Sequence, residues 1–402
     1  MIGSNDSVYR SGWRRVRAAI LFLLGCAALA AVVAAPIVPS DPNSILERLP
    51  PRDGAVWDEI RALHLALAQN PADAGVAAKL AQSYLALNRS VGDPRLVAYA
   101  SRVLAQWNGV AAPPVEVALE RALIAQTEHR FDAARAELAA VLDRSPRSAQ
   151  AWLALAALDT VQGRYAEAKR SCARLVLLED AAVTGACFAA AQAMTGEAAA
   201  AYRFLTESLA RPQLLDGESA AWITTLAAET AERLGMNEEA ERHYRAALAA
   251  NELEPSIYLL TAYSDFLLRR GRPAAVVGLL ATAPPADTLL LRLALAEARL
   301  GSGRAEHVAT LRYRLELALR GDDRAHAREA AFFALYLDDD APRALSRALD
   351  NWTVQRESID ARLVLEAATA AEMPDAAQPV REWLASHGVE AGGLAGDTWG
   401  AP

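Results

Sequence analysis

A pattern that returns every 34 residues constrains this chain more than any other feature. Phe131 and Tyr165 stand 34 apart, as do Ala134 and Ala168, Leu138 and Cys172, and Leu142 and Val176. Between the two copies lie Pro146 and Ser148, then Trp152, Leu155 and Ala156 at helical spacing. A fixed period of this length is one supersecondary unit, a helix–turn–helix, which buries its apolar face only by stacking on its neighbours.

The pattern extends in both directions. Trp57, Ile60, Leu63 and Leu67 form one helical stripe that stops before Pro71, and this segment reads as a capping helix. Leu80, Ala81 and Tyr84 follow as a large, a small and a large residue, before an expanded turn, RSVGDPR. Gly163, Gly196, Gly235 and Gly271 mark turns between paired helices, where a glycine lets the chain reverse. A small residue at each helix crossing, such as Ala201 or Ala240, allows close approach. About eight hairpins are expected between Gly75 and Gly388. Composition agrees: 53% of residues are hydrophobic, dominated by the helix formers Ala and Leu, and only 6% are aromatic. The expected fold class is all-α.

The spacing resembles the tetratricopeptide repeat. That resemblance implies a solenoid over 55–388, wound as a right-handed superhelix with a concave inner face. It also implies that ligands are met by inward positions on the first helix of each pair. Those positions are Glu116, Leu119, Leu123 and Gln126 in one copy and Gln150, Leu153, Ala157 and Thr160 in the next. Two copies further on they are Trp222, Thr225, Glu229 and Glu232. Family members that clamp a peptide's C-terminal carboxylate use Lys, Arg and Asn there. These copies hold none, which points to an apolar or basic protein segment instead.

The other end of the chain supplies an address. Residues 1–17 are polar and basic, ending in WRRVR, and 18–38 carry no charge over 21 residues, enough for one membrane-spanning helix. Arginines retained inside would send the body outward, to the periplasm in a bacterium. A retained inner-membrane anchor, a cleaved export signal leaving a soluble periplasmic protein, and a lipoprotein signal at Cys26 all give that side. Residues 39–54 form a Pro-rich linker, and the Gly-rich 389–402 a disordered tail.

Little chemistry is visible. The net charge is −8, and four of the arginines precede residue 18, so the body is acidic and ill-suited to nucleic acid. The six histidines are scattered without zinc-site spacing, and no phosphate loop is present. The run Asp338–Asp340 precedes Pro342 and reads as a helix cap rather than a cation loop. Cys172 and Cys187 lie on consecutive helices of adjacent repeats, either as two buried thiols or as a disulfide in an oxidising compartment. No catalytic residue, cofactor, metal or small-molecule substrate is expected. The function read from these features is a protein–protein scaffold or assembly factor in the bacterial envelope. A regulatory or substrate-capturing subunit of an envelope enzyme complex and a structural spacer are the alternatives.

Overall fold

Two side chains and one backbone dihedral, recurring along the chain, build each unit of this fold. The computed structural model describes residues 54–250, 255–303, 305–320 and 326–389. The basic segment, the apolar run 18–38, nearly all of the linker and the tail therefore lie outside the described residues.

A capping helix α1 (Ala55–Gln69) precedes the pairs α2 (Ala74–Val91) with α3 (Pro94–Val103), α4 (Val115–Thr127) with α5 (Phe131–Arg144), and α6 (Ala149–Val161) with α7 (Tyr165–Leu175). Next come α8 (Ala181–Gln192) with α9 (Ala198–Leu209), α10 (Gly217–Arg233) with α11 (Asn237–Ala250), and α12 (Ile257–Arg269) with α13 (Pro273–Leu280). The last pairs are α14 (Asp287–Arg299) with α15 (Ala305–Arg320), α16 (Ala327–Tyr336) with α17 (Ala341–Trp352), and α18 (Ser358–Ala370) with α19 (Gln378–Ser386). The described residues thus form nine hairpins, one more than the count of about eight that the pattern suggested.

The turn inside a hairpin has a fixed form. Its pivot adopts positive φ at His129, Gly163, Gly196, Gly235, Gly271, Asp339 and Glu372. In most copies the next amide bonds back into the preceding helix, as Arg164 does to Asp159 O at 2.7 Å and Arg272 to Leu267 O at 2.9 Å. Five residues beyond each pivot stands Ala134, Ala168, Ala201, Ala240, Val276, Ala344 or Ala377, every one fully buried. First helices are opened by Asp73, Ser148, Asp180, Asp216 and Ser256, whose side chains accept from the first turn. The run 338–340 works as read: Asp340 caps α17.

Each first helix contacts the first helix of the next pair from α2 through to α18, so the stack curves with these helices inside. It curves far enough to meet itself. Helix α2 touches α12. The Arg356 amide donates to Val161 O at 2.8 Å, the Tyr165 hydroxyl to Arg356 O at 3.4 Å, and the rings of Tyr165 and Trp383 lie 6.0 Å apart. Hairpin one therefore rests on hairpin six, and hairpin three on the junction of eight and nine. At both contacts a glycine serves twice. Gly92 and Gly163 have positive φ, and a Cβ would come within 2.6 Å of Ala286 and 2.5 Å of Trp383, respectively. Between hairpins three and four the structure joins Cys172 to Cys187 in a disulfide, with 5.7 Å between their Cα atoms.

Two consequences are measurable. Gly163→Ala must move Trp383 as well as strain the backbone, whereas Gly235→Ala meets nothing within 4 Å and carries the backbone strain alone. Gly163→Ala should therefore be less stable than Gly235→Ala by about 1–3 kcal/mol in denaturant unfolding. Equal losses would remove the packing argument. The second concerns Glu120 on α4, only 4% exposed, with Oε2 lacking a partner. Burial pushes its carboxyl from 4.5 to about 7, against the pull of Arg89 and Lys79. The folded state holds this proton more tightly than the unfolded chain does. Stability is therefore fullest below pH 4.5 and falls as pH rises to about 7, by on the order of 3 kcal/mol from this group. Glu120→Gln should flatten that part of the stability–pH curve, and an unchanged slope would contradict the assignment.

Candidate functional site

Because first helices line the inside, a residue's place on them decides whether it packs or faces the lumen. The twelve inward positions divide accordingly. Glu116, Gln150 and Ala157 are exposed, on α4 and α6. Leu123, Gln126, Leu153, Thr160, Trp222, Glu229 and Glu232 are half-buried. Leu119 and Thr225 are buried at 8% exposure, Leu119 in the core between α4 and α6, Thr225 with its hydroxyl bound to Ala221 O at 2.9 Å. Leu153 and Trp222 pack against the cluster around Cys172 and Cys187, so the disulfide underlies part of the inner wall.

The two halves of the wall differ in how their polar groups are used. On α4 and α6 the polar side chains at these positions are less engaged; the half-buried Thr160 hydroxyl donates within its own helix, to Ala156 O at 2.9 Å. From α10 onward the first helices are laced together. Glu232 pairs with Arg269 and accepts from the Tyr244 hydroxyl at 3.2 Å, while Tyr258 donates to Glu229. Asp265 pairs with Arg292 at 2.7 Å, and Arg328 with Asp360 at 2.6 Å and with Glu357. Tyr336 closes on Glu366. Burial raises the Glu229 carboxyl above its ordinary value, with Arg233 and Tyr258 opposing. Glu229 and Glu232 thus tie α10 to α12 rather than forming an acidic rim. The pattern of inward positions on single copies does not carry this, because the partners stand on the next first helix, some 30 residues away.

A second concave feature lies where hairpin three meets the C-terminal pair. A cavity of about 500 Å3 is lined by Gly163, Arg164, Tyr165, Lys169, Arg356 and Trp383, among others. Burial pushes the Tyr165 hydroxyl well above its ordinary value. None of the twelve inward positions reaches it. The one sequence signal at this place is the turn glycine itself.

Among the described residues no group of three His, Cys, Asp or Glu side chains is placed to hold a metal, and no helix is long and apolar enough to cross a membrane. The His243 ring contacts the Tyr202 hydroxyl at 3.1 Å.

Comparison with known proteins agrees with this geometry. Residues 125–185 match the tetratricopeptide repeat family. No curated protein sequence matches the chain. Among solved structures, the fold is similar to a Rap protein complexed with competence and sporulation factor, with a TM-score of 0.50 and 12% identity, covering 83% of this chain and 97% of that one. It is also similar to the human IFIT1 dimer with m7Gppp-AAAA, with a TM-score of 0.43 and 11% identity over 81% of this chain and 84% of that one. A third is the APC/C hetero-tetramer Cut9–Hcn1, with a TM-score of 0.40 and 13% identity over 78% of this chain; there the match spans about half, 52%, of the other chain. At these identities the likeness is one of fold. The match at 125–185 identifies that stretch as tetratricopeptide repeat, and the nine stacked hairpins of the described residues continue the same helix-pair architecture on either side of it.

Proposed function

We propose that this chain is a non-catalytic scaffold that holds a protein segment against the inner face of its N-terminal half, outside the cytoplasm. The observation that carries the reading is the contrast between the two halves. The inner polar groups from α10 onward are engaged with one another, whereas Glu116, Gln150 and Ala157 on α4 and α6 are exposed. A partner binds where exchange with water costs least, because engaged ion pairs must be broken before they can bind anything else. The surface there combines apolar side chains with Glu116 and Gln150, which suits an apolar or basic segment. Two features support an extracytoplasmic setting: the uncharged run 18–38 behind its arginines, and the Cys172–Cys187 bridge.

A photo-crosslinking residue at Gln150 or Ala157 should capture a discrete partner in intact envelopes, and one at Arg245, on the outer α11, should not. Capture only from Arg245 would place the binding surface elsewhere. For the setting, a reporter active only outside the cytoplasm, fused after Trp383, should be active. Thiol labelling of the unfolded, unreduced chain should then miss both Cys172 and Cys187. A silent reporter would overturn the extracytoplasmic reading while leaving the scaffold reading intact.

A further inference from the structure

The cavity between hairpin three and the C-terminal pair gathers positive charge that its own carboxylates do not balance. Asp159 is shared by Arg135 at 2.6 Å and Arg164 at 3.1 Å, so two guanidiniums face one carboxylate. Lys169 is matched by Glu197 at 2.8 Å, and Glu167 by Arg170 at 2.8 Å. Arg356 lies over the Trp352 ring, 5.9 Å from its centre, and no carboxylate among the described residues pairs with it. Arg164 Nη2 is buried without a hydrogen-bond partner. The same wall includes the start of α7, where Tyr165, Ala166 and Glu167 line the cavity and Arg164 provides no side-chain cap for the first-turn amides.

We infer that this cavity binds a phosphate group carried by a small ligand. Three features select that class. The side chains that line the cavity set Arg164, Lys169 and Arg356 against Glu167, a positive surplus that suits a doubly negative group, which a phosphate approaches at neutral pH. Guanidinium and helix-start amides together supply the directed donors that phosphate oxygens accept. The volume of about 500 Å3 is that of a small-molecule site. An acidic body makes such a surplus stand out: the chain as a whole carries −8. The site is on the stacked edge of the solenoid, apart from the inner face, and does not depend on the scaffold reading.

The test uses the full chain in detergent. Inorganic phosphate and glycerol phosphate are titrated calorimetrically, with acetate and chloride at matched ionic strength. Both phosphates should bind with Kd on the order of 1 mM or tighter, and acetate at least about tenfold more weakly. Arg356→Gln should weaken phosphate binding about tenfold or more, with Arg356→Lys recovering part of the loss. Melting of each variant in chloride separates lost binding from lost folding, and the comparison of anions on the unaltered chain decides the matter without any variant. Glycerol phosphate binding more tightly than phosphate identifies an esterified ligand; equal affinities identify free phosphate. Phosphate binding no better than acetate, or Arg356→Gln binding as well as the unaltered chain, would overturn the inference.

Discussion

Everything in this fold rests on how closely two helices of a hairpin can cross. The crossing residue is alanine in six of the seven copies that share the five-residue offset from the pivot, and valine in the other. With little more than a methyl group at the contact, the helix axes approach until larger neighbours such as Leu138 and Leu205 fill the flanking grooves, both fully buried. A longer side chain there would hold the pair apart and change the angle passed to the next unit. Since every unit inherits its orientation from the previous one, a small error at one crossing would displace the far end by many ångströms.

That accumulated angle brings the chain back on itself after about five hairpins. The return is held by backbone and aromatic contacts: the amide of Arg356 on Val161, and Trp383 on Gly163. It also divides the labour of the inner wall. Helices α10 to α18 spend their inward carboxylates and guanidiniums on one another, which stiffens that half, while α4 and α6 keep exposed positions.

The repeat was legible in the sequence because a period needs only a few matched positions, and Phe131, Tyr165, Ala134 and Ala168 provide them. Turns were harder to place where the pivot is not glycine. His129, Asp339 and Glu372 take the same left-handed conformation as Gly163, at a local cost that the surrounding helices override. The twelve inward positions stand on first helices, yet what each side chain meets depends on residues one unit away: nothing at Glu232 itself announces Arg269. The cavity was not legible at all, because Arg164 and Arg356 are 192 positions apart and meet only through the summed curvature of the units between them.

The bridge between Cys172 and Cys187 has a mechanical meaning. A solenoid flexes at the boundaries between hairpins, each acting as a joint with a small angular range. Joining α7 to α8 locks one of these joints, and it is the one beneath the landing point of the C-terminal pair: Gly163 lies just before α7, and Met194, which contacts Ser358, just after α8. Any breathing of the coil must therefore take place on either side of a fixed central plate. Reduction would turn that plate back into two links, and the coil would gain a hinge where its far end now rests.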